Sequence, residues 1–246
     1  MLQKTFCHVK GISLAFEKTL WDSGIGHWDD FLTKSGQLQE LSQNKKEKIT
    51  EELLLSQKAL AKNDLQYFKN TLPPKEHWRL AGLGKTAFVD IETTGLSKWA
   101  DQITVLGIYD GIQADVYVQG KDLPQAKDRL KEFDIIVTFN GKQFDVPFIE
   151  HHFTEKYDFI HLDLRYMLKE LGYQGGLKVI ERQLGIQRDT SIQNVDGFEA
   201  VHLWHRYKRG NLEALNKLVE YNKQDIVSLE KLLEHYLQNK RKHLLA

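Results

Sequence analysis

Four acidic residues lie in or beside apolar stretches, where a folding chain places its core. Asp90 and Glu92 belong to AFVDIETTGLS, Asp145 to TFNGKQFDVPFI and Asp225 to YNKQDIVSL. Aspartate and glutamate are rarely buried unless they are paired or bind a metal ion. Carboxylates held together at the edge of a core are the ligands that a pair of magnesium ions requires. The sequence therefore predicts a fold that gathers these acids at such an edge.

The predicted elements describe an α/β domain preceded by a helical region. Residues 1–75 contain no convincing strand, and Leu72-Pro73-Pro74-Lys75 ends their helical pattern, which places a domain boundary between residues 75 and 76. Residues 76–246 predict a three-stranded antiparallel meander followed by alternating helices and strands, hence a mixed sheet flanked by helices. The predicted strands are Thr86–Glu92, Gln102–Tyr109, Ala114–Val118, Asp134–Phe139 and Phe159–Leu162, and the helices between them are Gln125–Phe133 and Val146–Phe153.

Length and composition limit the location and the partners. The 246 residues suffice for one domain of about 150–200 residues and a smaller piece. Cys7 is the single cysteine, which rules out an intrachain disulfide framework and favours a reducing compartment. No apolar stretch has the length of a membrane span and no signal peptide is evident, so we expect a cytoplasmic protein without membrane contacts. Because the formal net charge is 0, attraction to phosphate has to come from local patches or bound metal.

The first acidic segment places two carboxylates on one side of a strand. Asp90 and Glu92 are two residues apart, so in a strand both point to one face while Val89 and Ile91 point to the other. Two carboxylates about 6–7 Å apart along a strand can converge on one magnesium ion. Two solvated acids at a strand end are the alternative for a bare DxE. Because Thr93-Thr94-Gly95 follows at once and offers a turn that can meet a substrate, we favour metal ligands.

The other acids lie at the start of one helix and along another. Asp145 follows a buried strand and the turn Asn140-Gly141, at a predicted helix start where capping is an alternative compatible with metal binding. Tyr221 and Asp225 are four residues apart on a helix predicted over residues 211–237, so they share one face. A surface tyrosine and aspartate on an amphipathic helix is the alternative for this pair taken alone.

The three segments together resemble the DEDD exonucleases of the ribonuclease H-like superfamily. Their pattern is DxE, then Asn-x-x-x-Phe-Asp, then Tyr-x-x-x-Asp, and Glu220 stands where a second subclass has histidine, which marks the tyrosine subclass. Residues from about 78 to 233 resemble the YprB-like exonuclease domain, including HLDL at 161–164, GGLK at 175–178 and LWHRY at 203–207. The resemblance implies a ribonuclease H-like fold with a mixed five-stranded sheet flanked by helices, after an all-helical N-terminal extension.

The resemblance also implies a 3′→5′ exonuclease that acts on the 3′ end of single-stranded DNA or RNA and releases nucleoside 5′-monophosphates with two Mg²⁺ or Mn²⁺ ions. Asp90 would bridge both ions, Glu92 and Asp225 would complete the site of the attacking water, and Asp145 would hold the second ion. Tyr221 would orient the water. Paired ions about 3.5–4 Å apart lower the pKa of water and neutralise charge on the attacking and leaving oxygens.

Candidate substrate contacts follow from the same resemblance. Lys178 comes after Gly175-Gly176, whose backbone N–H groups suit a phosphate, although a plain helix start with a solvated lysine is an equal alternative. Basic clusters at residues 206–209 and 240–242 are weak indications of a nucleic-acid track, because charged runs usually lie on solvated surface. The remaining candidates, three after the metal-binding strand and two in the second segment, are Thr93, Thr94, Leu96, Asn140 and Phe144.

The N-terminal region resembles a divergent helix-hairpin-helix, carried by HVKGIS at 8–13, GIG at 24–26 and WDDFL at 28–32. Such a hairpin donates backbone amides to DNA phosphates without reading sequence. Lys10 stands where proline is common, and Ser13 where a second glycine is. A helical extension that only packs, or that binds a protein partner, is slightly favoured over it. Trp21, Trp28 and Phe31 are expected in the core.

Two function classes remain beside the exonuclease. One is a catalytically silent nucleic-acid-binding module, and the other is an interaction subunit of a DNA-repair or RNA-processing assembly. An acidic cluster argues against pure binding, because it would repel the phosphate backbone. The sequence contains no nucleophile elbow and no P-loop. His161 and Asp163 lie near the predicted cleft, and a structural role is favoured for both. The choice between DNA and RNA rests on contacts to the 2′ position that no motif exposes.

Overall fold

Helices alone build the first part of the chain, and a mixed sheet organises the second. The computed structural model describes residues 1–193 and 195–245. The chain divides into two units, Met1–Gly84 and Lys85–Ala246. The predicted boundary at residue 75 falls inside a 3₁₀ helix, Pro74–Leu80, that belongs to the first unit.

The first unit contains four α-helices and three 3₁₀ helices, and its described residues form no strand. Trp28 and Phe31 are buried as predicted, whereas Trp21 is partly exposed and donates its indole N–H to the Lys4 carbonyl oxygen at 2.8 Å. The α-helices are α1 (Leu14–Asp22), α2 (Trp28–Lys34), α3 (Gln43–Ala61) and α4 (Leu65–Thr71), and the 3₁₀ helices are Leu2–Lys4, Ser35–Gln37 and Pro74–Leu80.

A buried carboxylate ties the ends of the first unit together. Glu17, on α1, accepts hydrogen bonds from the Thr5 hydroxyl at 2.5 Å and the Cys7 amide at 3.1 Å. Its other oxygen pairs with the Arg79 guanidinium at 2.9 Å, and both side chains are 1% exposed. Since an unpaired buried charge is costly, this pair explains why the 3₁₀ helix Pro74–Leu80 packs within the first unit. The helix-hairpin-helix resemblance stays a prediction.

The second unit contains one five-stranded sheet in the order β3-β2-β1-β4-β5. The first three strands are antiparallel, and β4 and β5 run parallel to β1. This arrangement confirms the predicted mixed sheet and its antiparallel meander. The strands are β1 (Thr86–Thr93), β2 (Ile103–Tyr109), β3 (Ala114–Val118), β4 (Ile135–Thr138) and β5 (Ile160–Asp163).

Helices cover both faces of this sheet. One face of β1 contributes Val89 and Ile91 to a core with Phe148 of α6, as the two-residue alternation predicts. The opposite face packs against α9 and α10, with Val105, Leu203 and Leu218 in the core. The helices are α5 (Ala126–Leu130), α6 (Asp145–Phe153), α7 (Leu164–Glu170), α8 (Leu177–Gln183), α9 (Gly197–Lys208) and α10 (Leu212–Leu245).

Helix α10 runs further than predicted, to Leu245 instead of residue 237. Its final residues, QNKRKHLL, include several good helix formers and no proline or glycine that would end the helix. Despite this length, no helix in the described part of the chain is long and apolar enough to cross a membrane.

Close packing of α10 on β2 depends on one glycine. Gly107 pairs with Asp90 across the β1–β2 ladder. A Cβ atom added at Gly107 would lie 2.2 Å from Asn222 Oδ1 and 3.1 Å from Ile226 Cδ1, both on α10. Real Cβ atoms essentially never approach another atom to 2.2 Å, so a side chain here would displace the buried Asn222 side chain or the helix that carries it.

We predict that Gly107→Ala lowers the free energy of unfolding by about 1–3 kcal/mol, the usual cost of overpacking a core. Chemical denaturation of the full chain measures this change. Gly36→Ala is the matched control, because an added Cβ there meets nothing within 4 Å and the backbone needs no positive φ. Equal stability of the two variants would mean that α10 has room to move.

Candidate metal centre and active-site cleft

Three carboxylates from two elements converge beside the sheet. Asp90 and Glu92 lie on β1 and Asp225 lies on α10, and each offers a carboxylate oxygen within 4.8 Å of those of the other two. Glu92 is 8% and Asp225 4% exposed, while Asp90 is partly buried. The pairing register of β1 shifts after Glu92, and such irregularities re-aim side chains near functional sites. Oxygen ligands in this number suit Mg²⁺ or Mn²⁺, so the cluster can hold a divalent metal ion.

Asp145 lies beside this cluster but outside it. It is the first residue of α6, is 3% exposed, and accepts the Ile91 amide on Oδ1 at 3.1 Å. The bond crosses from α6 to β1 between Asp90 and Glu92, so it fixes Asp145 at the same edge of the sheet. The N-cap residue of α6 is Phe144, not Asp145. The Asp145 side chain instead links α6 to β1.

Burial and mutual repulsion raise the pKa of the three carboxyl groups of the cluster and of Asp145. The pKa values of Asp90 and Glu92 lie well above their usual range, because both groups are buried and face Asp225 and Asp145. Burial raises the pKa of Asp145 to about 7. Burial also raises the pKa of Asp225, to about 6, while Arg188 acts in the opposite direction. Without a cation, these raised pKa values favour protonation of the carboxyl groups as the pH falls, and a metal ion would have to compete with those protons.

Tyr221 lies one helical turn before Asp225 and is 7% exposed. Burial and then the neighbouring carboxylates Asp225, Glu92 and Asp90 raise the pKa of its hydroxyl. The hydroxyl therefore keeps its proton and acts as a hydrogen-bond donor at the edge of the carboxylate cluster. The Lys178 ammonium group lies 4.8 Å from the centre of the Tyr221 ring, a cation–π contact.

Asn222 orients Asp90, a role that no motif or spacing predicted. Its amide nitrogen donates to Asp90 Oδ2 at 2.9 Å and to the Asp90 carbonyl oxygen at 3.2 Å. Asn222 is fully buried, in the space that Gly107 leaves open. An asparagine beside Tyr221 has no spacing that links it to Asp90, and only the packing of α10 on β1 brings them together.

A buried arginine, Arg188, contacts Asp225 of the cluster. Arg188 forms two ion-pair contacts with Glu181 of α8, at 2.5 and 2.8 Å, and one with Asp225. The Arg188 and Glu181 side chains are 8% and 1% exposed. These two residues belong to a helix and a loop with no motif, so the sequence offered no signal for them.

The cluster opens into a cleft of about 600 Å³. Asp90, Glu92, Asp145, Tyr221 and Asp225 all line it. Lys178 lies instead in a neighbouring cavity with Glu181 and Arg188. The predicted substrate contacts that line the cleft are Thr93, Thr94, Leu96, Asn140 and Phe144, and the lining residues that were not predicted include Phe139, Phe198 and Val201.

Two of the lining side chains are exposed apolar groups. Leu96 is 86% and Phe198 is 74% exposed. The Thr93 and Thr94 hydroxyls, in contrast, are engaged within their own loop, with the Gly95 carbonyl oxygen at 2.5 Å and Asp101 Oδ1 at 3.1 Å. The cleft thus has a polar, acidic floor and an apolar rim.

Asp163 has the structural role that was favoured for it. It accepts the backbone amides of Asn140 at 2.8 Å and Lys142 at 3.0 Å, and it caps α7 through the Arg165 amide at 3.1 Å. The Asn140 side chain accepts from the Arg165 guanidinium at 2.7 Å, and Asn140 has a φ of 68°. The second acidic segment is therefore held by its own hydrogen bonds before Asp145 begins α6.

The two basic clusters lie outside the residues that line the cleft. Arg206 faces Glu199 at 3.6 Å, and Lys240 pairs with Glu170 at 2.7 Å. A nucleic-acid track along these clusters stays a prediction.

Comparison with known proteins assigns most of the second unit to a family. A family model described as the RNase_H superfamily matches residues 87–237. The chain belongs to the RNase H superfamily. The family B DNA polymerase from the hyperthermophilic archaeon Pyrobaculum calidifontis has a similar structure, with a TM-score of 0.52 and 17% identity over 62% of this chain and 24% of that chain. This chain therefore spans about a quarter of that polymerase, and the likeness concerns the RNase H-like fold alone.

Two structures of NrnC from Brucella melitensis are also similar. The structure with bound Mg²⁺ aligns with a TM-score of 0.47 and 21% identity, over 70% of this chain and 82% of that chain. The structure bound to pGG aligns with a TM-score of 0.47 and 22% identity, over the same shares. No curated protein matches this chain. The tyrosine subclass and the YprB-like relationship stay predictions for this RNase H superfamily member.

We predict that Mn²⁺ stabilises the protein more at about pH 7.5 than at about pH 6. Carboxyl groups with raised pKa values stabilise the metal-free fold below their unfolded pKa, and this contribution is lost as the pH rises through their folded values. Deprotonation at the higher pH also frees them to bind the cation. Each tenfold gain in affinity adds about 1.4 kcal/mol, or roughly 3–6 °C in Tm for a unit of this size.

Thermal unfolding with and without Mn²⁺ at the two pH values measures this difference. Asp90→Asn is the control, and it should lose the response to Mn²⁺ at both. An equal Mn²⁺ response of the wild-type protein at both pH values would contradict the raised pKa values.

Proposed function

We propose that this chain is a metal-dependent 3′→5′ exonuclease that hydrolyses phosphodiester bonds of single-stranded DNA or RNA and releases nucleoside 5′-monophosphates. One observation carries the proposal. Asp90, Glu92 and Asp225 meet within 4.8 Å of one another, below a cleft that also contains Asp145 and Tyr221. Membership of the RNase H superfamily and the fold support a hydrolytic nuclease. The 3′→5′ direction rests on the resemblance of the three acidic segments to the DEDD exonucleases.

The donor set fits two divalent cations. Asp90, Glu92 and Asp225 would hold one Mg²⁺ or Mn²⁺ ion, and Asp145 with Asp90 would hold the second. Two such ions lower the pKa of a bound water and neutralise charge on the attacking and leaving oxygens. Buried carboxylates without a cation repel one another, which agrees with their raised pKa values.

Neighbouring side chains would orient these metal ligands and the attacking water. Asn222 holds Asp90 through the 2.9 Å hydrogen bond, so one Asp90 oxygen is directed by α10. The Tyr221 hydroxyl keeps its proton, and it would orient the attacking water by donating a hydrogen bond. Lys178 lies over the Tyr221 ring in the neighbouring cavity, so its positive charge would act on the site through Tyr221 and not as a direct contact within the cleft.

The rim of the cleft suits an unpaired 3′-terminal nucleotide. Leu96 and Phe198 are exposed and Phe144 is partly buried, and all three line the cleft. Bases stack on aromatic side chains with about 1–3 kcal/mol each and without sequence preference. These side chains would hold the terminal bases of a single strand, while a base-paired end would have to open first. Thr93, Thr94 and Asn140 would supply polar contacts nearby.

We predict that Asp90→Asn folds but loses cleavage by several orders of magnitude, because the shared ligand of both ions is removed. The assay is digestion of 5′-labelled single-stranded DNA and RNA with Mn²⁺, Mg²⁺ or EDTA. The wild-type protein should give a ladder that shortens from the 3′ end and disappears in EDTA. Asp128→Asn is the matched control, since Asp128 is an exposed acid of α5 outside the cleft.

Near-normal cleavage by Asp90→Asn would refute the metal assignment. An absence of cleavage by the wild-type protein, with binding of the labelled strand retained, would instead favour a silent nucleic-acid-binding module. The ratio of DNA to RNA cleavage also identifies the preferred sugar.

We further predict that Tyr221→Phe weakens cleavage less than Asp225→Asn. Tyr221 only orients water in this proposal, whereas Asp225 binds a metal ion. Loss of such positioning costs on the order of 10²-fold. Single-turnover rates at saturating Mn²⁺ measure both variants, and Tyr221→Phe should keep the wild-type Mn²⁺ affinity. Equal collapse of the two rates would mean that Tyr221 does more than orient water.

A further inference from the structure

A buried salt-bridge chain connects α8, the loop after it and α10. The Arg188 guanidinium donates to Glu181 Oε2 at 2.5 Å through Nε and to Glu181 Oε1 at 2.8 Å through Nη2. Nη2 also contacts Asp225 Oδ1. The Ser228 hydroxyl, three residues after Asp225, donates to Glu181 Oε1 at 2.5 Å. Glu181 and Arg188 are thereby both anchored to the segment of α10 that carries Asp225.

The geometry makes the position of Arg188 nearly fixed. Two parallel bonds between a guanidinium group and a carboxylate define the plane of both groups, which a lysine ammonium group cannot do. Both side chains are at least nine-tenths buried, so neither can exchange its partner for water without a large cost. The negative charge of Glu181 balances the positive charge of Arg188. Arg188 can therefore contact Asp225 without strongly repelling a cation bound beside it.

We propose that Arg188, held by Glu181, is a positioning residue for the metal ligand Asp225. The inference rests on the proposed metal centre. The contact of Arg188 with Asp225 Oδ1 limits the rotation of that carboxylate, so that Asp225 would meet the cation in a defined orientation. Hydrogen-bond partners behind a metal ligand typically contribute about 10–100-fold to metal affinity. A placeholder cation, which the metal ion has to displace, would act with the opposite sign.

The test is Mn²⁺ affinity without nucleic acid, measured by calorimetry and by the electron paramagnetic resonance of free Mn²⁺. The decisive variant is the double substitution Arg188→Met with Glu181→Gln, which removes one positive and one negative charge and so keeps the local net charge. It should bind Mn²⁺ about 10–100-fold more weakly than the wild-type protein. Arg188→Lys, which keeps the charge but loses the planar fork, should show a smaller loss.

Arg182→Met is the matched control, because Arg182 is an exposed arginine of α8, the helix that carries Glu181. Its Mn²⁺ affinity should stay at the wild-type value. Excess Mn²⁺ should restore cleavage by Arg188→Lys, whereas damage to the fold would not be rescued in this way. Near-ultraviolet circular dichroism identifies variants that fail to fold, and if the double variant does so, Arg188→Lys decides the question.

Unchanged or stronger Mn²⁺ binding by a folded Arg188→Lys or by the double variant would overturn the positioning role. Stronger binding would identify Arg188 as a placeholder. Absence of Mn²⁺ binding by the wild-type protein would instead refute the metal centre itself, so failure of the proposed function and failure of this inference give different results.

Discussion

Electrostatic repulsion among four neighbouring carboxylates, three of them buried, is the constraint on which the second unit depends. Three of the four carboxylates each have a different protein partner that reduces this repulsion. Asn222 donates to Asp90, the Ile91 amide donates to Asp145, and Arg188 contacts Asp225. Each partner comes from a different element, namely α10, β1 and the loop after α8. The acidic site is thus built into the same contacts that join the sheet to its helices, so its geometry and the packing of the unit cannot vary independently.

Much of the fold was predictable because local patterns decided it. The alternation of Val89 and Ile91 with Asp90 and Glu92 gave the orientation of β1, and the turns at 95–97 and 110–111 gave the meander. The order β3-β2-β1-β4-β5 and the length of α10 were not predictable in the same way. Strand order depends on contacts between distant segments, and the end of a long helix without glycine or proline carries no local signal.

The residues of the site were likewise predictable where spacing within one element decides their positions, and not where contacts between elements do. Spacing within one element predicted that Asp90 would lie with Glu92 and Tyr221 with Asp225, and the cleft contains all four. Asn222, Glu181, Arg188 and Phe198 were missed because their roles come from contacts between elements. Gly107 shows this most clearly, because a Cβ atom there would lie 2.2 Å from Asn222 Oδ1, on a helix more than a hundred residues away in the sequence. Lys178 was placed near the substrate, and the structure puts it over the Tyr221 ring in a neighbouring cavity.

Glu92 differs from the other three acids, and the difference bears on how the site works. Among the described residues, no hydrogen bond to its carboxylate is found, and burial followed by the charges of Asp225 and Asp145 raises its pKa. The positive charges of Lys178 and Arg188 act against this increase without a direct bond. Asp90, Asp145 and Asp225 are therefore oriented by protein donors, whereas the Glu92 carboxyl group would gain its partner from a proton or from the cation of the proposed metal centre. In the proposed metal centre, Glu92 would be the ligand that adjusts when a cation binds, because none of the described residues donates a hydrogen bond to its carboxylate.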